Sequence, residues 1–296
     1  MNTPSPQTPS HTADEAAAHA LHKPLSKGIY VLPNLFTLAS LFGGFYAIVM
    51  AMNGRFELAT VGIFCSMVLD SLDGRVARLT HTQSAFGEQM DSLSDMVSFG
   101  AAPALVAYEW ALRPLGRWGW IAAFVYCACA ALRLARFNVN TGVVDKRYFQ
   151  GLPSPAAAAL VAGFIWLTFE MITGHYAVPG FASIIGLFAT LPLQRADLSW
   201  VMFGITLFAG LTMVTNIPYY SFKDFRGKRT VPFTLLVLVV LVIALINIEQ
   251  PTVMFGFFVC YGLSGYIIYV WRKTKGEHVS IVSTSITEPD EHDLHH

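Results

Sequence analysis

Apolar runs of bilayer length recur along this chain, and they constrain its fold more than any other feature. A helix needs about 20 predominantly apolar residues to cross the hydrocarbon core of a membrane. Eight such runs are read at 30–52, 57–79, 90–110, 118–137, 156–174, 198–216, 230–248 and 251–271. In lipid every backbone N–H and C=O needs an internal partner, so runs of this kind fold as helices. The expected fold class is therefore all-α, a polytopic membrane bundle of about eight transmembrane helices. Only 13% of the residues are charged, against about 25% in a soluble domain. The stretch 180–193 is apolar but short and follows Pro179-Gly180. It reads as a re-entrant or interfacial segment.

The basic residues give the bundle an orientation. With eight crossings and both tails in the cytoplasm, fifteen of the nineteen Lys and Arg residues fall inside. Arg55, Arg113, Arg117 and Arg195 are left outside. This is the asymmetry of the positive-inside rule. A ninth crossing through 180–193 would move Lys223 to Arg229 to the wrong side. The domain reading is a disordered cytoplasmic tail over 1–27, a membrane domain over 28–275 and a second disordered tail over 276–296. A short interfacial helix or a plain linker precedes the first run, over 24–32. Cys65, Cys127, Cys129 and Cys260 lie inside apolar runs with no C-x-x-C pair, so they read as packing residues rather than a disulfide framework. The net charge is zero, and no nucleic-acid partner is expected.

Against this apolar background, one cluster of carboxylates stands out. The second run ends with Asp70 and Asp73, three residues apart, and the third opens with Asp91 and Asp95, four apart. Each pair shares a helix face. A short link makes the two helices antiparallel neighbours, so the four carboxylates meet at one end of the bundle. An ionised Asp costs about 2.5–3.5 kcal/mol at the centre of a membrane helix, less towards an interface, and four would repel one another. Bound Mg²⁺ or Mn²⁺ removes both problems, since hard cations take oxygen ligands. An ion-pair cluster with Arg75 and Arg78, or a cation-transport site, would also account for the acids. Gly74 and Gly87 flank them. Glycine there lets a ligand approach bare backbone, or lets two helices pack closely.

Written out, the pattern is Asp70-x2-Asp73-Gly74-x2-Ala77-Arg78-x8-Gly87-x3-Asp91-x3-Asp95. It resembles the signature of the CDP-alcohol phosphatidyltransferase family at all eight fixed positions. Three further stretches resemble the branch of that family that uses L-serine. They are 32–37, 133–138 with 151–156, and 213–223. The resemblance covers roughly 28–230 and implies a membrane enzyme that transfers a phosphatidyl group from CDP-diacylglycerol to L-serine, releasing CMP. Glycerol 3-phosphate, inositol phosphate or choline would be the alternative acceptors. It implies two divalent ions on Asp70, Asp73, Asp91 and Asp95, with Asp95 also taking the proton from the acceptor hydroxyl. The nucleotide donor is expected along Gly74, Ala77, Arg78 and Gly87. Asn34 and Thr37 add contacts to it, or else serve local backbone bonding. Arg133 and Arg136, at the cytoplasmic end of the fourth run, offer charges for the serine carboxylate, or for topology and lipid headgroups. Ser154-Pro155 reads as the N-cap and first residue of the next helix, an anion-binding position or a plain cap. Ser71, Ser92 and Ser94 have no histidine at a telling spacing, so direct in-line attack is expected rather than a covalent intermediate. The resemblance further implies a homodimer among membrane lipids, in the inner membrane, with its site at the cytoplasmic face.

Overall fold

The computed structural model describes residues 31–80, 82, 84–140, 148–173, 195–220, 240, 244 and 250–275. The tails over 1–27 and 276–296 lie outside the described residues. So do the 180–193 stretch and, but for 240 and 244, the run over 230–248.

Long helices carry the architecture. They are α1 (Val31–Met52), α2 (Phe56–Leu79), α3 (Ala85–Asp95), α4 (Ala102–Ala107), α5 (Arg117–Asn140), α6 (Ser154–Thr173), α7 (Arg195–Val214) and α8 (Gln250–Thr274). Two π-helical turns, Met96–Ala101 and Tyr108–Leu112, splice α3 and α4 into one helical run that closes with a 3-10 turn at Arg113–Leu115. Seven of the eight apolar runs read from the sequence coincide with these helices. Among the described residues, α1, α5, α6, α7 and α8 are long and apolar enough to cross a membrane. α2 and the run over 85–115 have the length as well, but they carry the charged residues of the site. The chain is a helical membrane protein.

α6 is the central helix, buried nearly continuously from Ala156 to Thr168. Its Ala156–Ala159 stretch makes it thin, so α2, α7 and α8 all pack against it. Lipid tails are as apolar as Leu, so helix association rests on close van der Waals fit and interhelical polar bonds. Both are visible between α1, α2 and the π turn. Ser40 Oγ donates to the Ser66 carbonyl at 3.0 Å, and Ser66 Oγ returns a bond to the Ser40 carbonyl at 2.8 Å. Ser98 Oγ donates to that same Ser40 carbonyl at 3.0 Å, and Ser94 Oγ to the Thr37 carbonyl at 3.1 Å. Gly44 allows the approach, since a Cβ there would lie 2.6 Å from Ser98 Cα.

A two-stranded antiparallel ladder stands beside the helices. β1 (Tyr148–Gln150) precedes α6, and β2 (Pro218–Tyr220) follows α7, with Phe149 opposite Tyr219. Tyr219 is fully buried. Its hydroxyl donates to the Gly262 carbonyl of α8 at 2.8 Å, and its ring lies on Gly265. The ladder thereby joins the ends of α6 and α7 to α8.

Candidate active site

The start of α1, the end of α2 and the start of α3 meet at one end of the bundle. α2 carries Asp70 and Asp73 on its last turns. The link to α3 is short, and Ser84 caps α3 by accepting from the Gly87 N–H at 3.1 Å. Asp70, Asp91 and Asp95 converge, each offering a carboxylate oxygen within 4.8 Å of the others. One oxygen of Asp91 and one of Asp95 are buried with no hydrogen-bond partner among the described residues. Neither Arg75 nor Arg78 comes within ion-pair distance of the cluster among the described residues, although the charge of Arg78 reaches Asp73. Such desolvated, convergent oxygens make a set of donors that could hold a hard divalent cation. Asp73 stands apart from the other three. It is buried, and its Oδ2 accepts a bond from Thr37 Oγ1 at 2.8 Å. The Thr37 hydroxyl also lies 3.2 Å from the Pro33 carbonyl.

The residues expected on the donor side share one groove. Asn34, Thr37, Gly74, Ala77, Arg78 and Gly87 all line it, and Asp73 and Asp91 form its acidic wall. Gly74 and Gly87 open onto this space. A Cβ at Gly74 would meet nothing nearer than the Arg78 guanidinium, 3.8 Å away. Gly74 thus presents bare backbone to the groove, whereas a Cβ at Gly87 would lie 3.3 Å from Ser84 Oγ and 3.5 Å from Asn34 Oδ1 of α1, so Gly87 also serves a close helix approach. Thr82, Ser84 and Glu88 also line the groove, and the sequence reading did not select them. The cap pattern Ser84-x2-Gly87 at the head of a helical run was the available signal for Ser84.

On the acceptor side the two arginines part company. Arg133 is 8% exposed, and its Nη1 donates to Ser154 Oγ at 2.9 Å. Its Nε is buried without a partner among the described residues, and Asp95 and Tyr261 of α8 lie within electrostatic reach of its charge. Arg136 instead spreads its guanidinium over backbone carbonyls. Ser154 does not cap α6 as expected. The first helical bond runs from Ala157 N to the Pro153 carbonyl at 3.0 Å, which makes Pro153 the flanking residue and leaves the Ser154 hydroxyl free to receive Arg133. Tyr261 had no sequence signal, because only the packing of α8 brings it here.

A carboxylate cluster that could hold a metal ion, opening on a groove with an arginine and bare glycine backbone, at the end of a membrane bundle, fits the class of membrane-embedded phosphoryl-transfer enzymes. The family model for CDP-alcohol phosphatidyltransferase matches residues 30–191, and the chain belongs to that family. It is similar to the CDP-diacylglycerol–serine O-phosphatidyltransferase of Helicobacter pylori, 35% identical over 238 residues that span 79% of this chain and 90% of that one. The proteins of the same name from Methanocaldococcus jannaschii and Saccharomyces cerevisiae are 39% and 40% identical. Those matches cover 54% and 44% of this chain, and 70% and 51% of the relatives.

Proposed function

We propose that this chain transfers the phosphatidyl group of CDP-diacylglycerol to L-serine, giving phosphatidylserine and CMP in phospholipid biosynthesis. The names of the relatives support serine as the acceptor, and one observation in the site favours an acceptor that carries an anion, as serine and the phosphorylated alternatives do. Arg133 is a buried guanidinium with no ion-pair partner among the described residues. A buried charge left unpaired is costly by several kcal/mol, and a carboxylate arriving with the substrate relieves that cost. Choline brings none.

The donor lies in the groove between α1, α2 and α3. Its diphosphate is held by Arg78, whose planar guanidinium pairs bidentately with phosphate oxygens. The bare backbone of Gly74 and Gly87 and the side chains of Asn34, Thr37 and Ala77 bound the nucleotide. Asp70, Asp73, Asp91 and Asp95 would hold two divalent ions, Mg²⁺ or Mn²⁺, which when bound shield the diphosphate and stabilise the attacking and leaving oxygens. Arg133 and Ser154 hold the serine carboxylate beside Asp95. Asp95 takes the proton from the serine hydroxyl. The serine oxygen then bonds to the phosphorus that bears diacylglycerol, and the bond from that phosphorus to the bridging oxygen breaks, releasing CMP. The site opens on the cytoplasmic face of the inner membrane, a placement supported by the basic residues around it. The homodimeric state rests on the family resemblance alone.

The test is to purify the protein and supply CDP-diacylglycerol with L-serine, glycerol 3-phosphate, inositol phosphate or choline in turn, following CMP release and the lipid product. Turnover with L-serine only is expected, lost in excess chelator and restored by Mg²⁺ or Mn²⁺. Turnover with another of these acceptors and none with L-serine would defeat the named function and leave the family standing.

A further inference from the structure

The geometry points to Arg136 as a positioning residue for the acceptor pocket, not a ligand of the acceptor. This inference rests on the proposed use of serine. Arg136 Nη1 donates to the Val214 carbonyl at 3.0 Å and to Asn216 Oδ1 at 3.1 Å. Its Nη2 donates to the carbonyls of Gln150 at 2.9 Å, Met213 at 3.2 Å and Thr215 at 3.3 Å. Two NH₂ groups carry four hydrogens, and five acceptors already share them. Little capacity remains for a carboxylate.

The acceptors explain the arrangement. A helix leaves its last carbonyls without intrahelical donors, and a cationic side chain is a favourable partner for them. α7 ends at Val214, and Arg136 takes the Met213 and Val214 carbonyls and that of Thr215 just beyond. The same guanidinium reaches across to Gln150, the last residue of β1. The strand's continuation is fixed there too. Gly151 N donates to the Ile217 carbonyl at 2.9 Å, and Leu152 N to the Thr212 carbonyl at 3.1 Å. Gly151 has φ +74°, and a Cβ on it would run into the Met213 carbonyl oxygen. Only glycine allows the strand this close to the helix end. Three residues beyond Gly151 stands Ser154, bonded to Arg133. Arg136 therefore closes a clasp between the end of α5, the end of α7 and the 150–154 segment, and the clasp sets Ser154 against Arg133.

A ligand and a clasp respond differently to substitution. A ligand needs charge, and lysine supplies it. A clasp needs a planar fork that reaches several acceptors at once, and a lysine ammonium does not reproduce that. With the parent protein turning over L-serine, Arg136→Ala is expected to raise the KM for L-serine by about tenfold to a hundredfold, the scale of a displacement of about 1 Å in a substrate-holding group. The KM for CDP-diacylglycerol should stay within about twofold, and Arg136→Lys should behave like Arg136→Ala. In an Arg133→Ala background the further effect of Arg136→Ala on serine KM should shrink to less than about threefold, because both residues act through one contact. If Arg136→Ala does not yield folded protein, Asn216→Leu removes one acceptor and leaves the charge. It should raise serine KM by about threefold, the scale of one modest hydrogen bond. Rescue by lysine, fully additive losses with Arg133→Ala, a rise confined to the CDP-diacylglycerol KM, or an unchanged serine KM in Asn216→Leu would each overturn the assignment. A parent that releases no CMP with serine overturns the proposed function instead.

Discussion

Asp95 has the most demanding position of any single residue in the site. It shares its carboxylate cluster with Asp70 and Asp91, keeps one buried oxygen without a partner among the described residues, and feels the charge of Arg133. It thus stands between the other acids and Arg133, the two halves of the proposed reaction. Asp95→Asn keeps the size and removes the basicity. kcat is expected to fall by about 10²–10⁴, the usual worth of a positioned base, with the KM for CDP-diacylglycerol little changed. A variant that turns over within a factor of about three of the parent would remove Asp95 from the role of base. The four aspartates were readable from the sequence because helical spacing alone brings i and i+3, or i and i+4, onto one face. The difference between Asp73 and its three neighbours was not readable. It depends on Thr37 arriving from another helix to donate to Asp73, and no spacing within α2 encodes that.

Between elements, polar bonds and small residues do what the hydrophobic effect does in water. α1, α2 and the helical run from α3 through the Met96–Ala101 turn are tied through Ser40, Ser66, Ser94 and Ser98, and α1, α2 and α3 also hold the groove and the acids. Interhelical hydrogen bonds in membranes average only about 0.6 kcal/mol, so close packing must add to them. Gly44→Ala would place a Cβ 2.6 Å from Ser98 Cα and 2.6 Å from Ser98 Oγ. It is expected to destabilise the protein by about 1–3 kcal/mol, as overpacking does, lowering the melting temperature of the purified protein in detergent. Gly256 on α8 has no atom of the described residues within 4 Å of its would-be Cβ, so Gly256→Ala should leave the melting temperature unchanged or raise it. Equal losses in both variants would mean that the α1 contact is not special. The seven helices that match the apolar runs were legible from length and hydropathy. The π turns were not, because the stretch 96–101 has the same apolar composition an α-helix would use, and a widened turn leaves no mark on periodicity that short. Nor was the β1–β2 ladder, whose three-residue strands are about 70 residues apart in the sequence and have α6 and α7 between them among the described residues.

At the scale of the whole molecule the ends of the helices alternate, and the alternation explains why one site can form. Asn34 and Thr37 open α1, Asp70 to Arg78 close α2, Gly87 to Asp95 open the next run, Arg133 and Arg136 close α5, Ser154 opens α6 and Val214 closes α7. Each pair of crossings brings the chain back to the same end of the bundle. Arg55 lies at the opposite turn, between α1 and α2, and Arg113 and Arg117 at the turn before α5. Arg75, Arg78, Arg133 and Arg136 therefore share the end with the acids, where the proposed diphosphate would be held, and the positive-inside rule predicts a cytoplasmic position for that end. The sidedness has a direct test in a background from which Cys65, Cys127, Cys129 and Cys260 have been removed. A single cysteine at position 5 or 290 should resist a membrane-impermeant thiol reagent in intact cells and react after lysis. A cysteine in place of Asn53 or Gly116, at the opposite turns, should react in intact cells. The reverse pattern would place the carboxylates outside, away from the cytoplasmic nucleotide pool. An outside label on one tail alone would require an odd number of crossings, contrary to the eight read from the sequence.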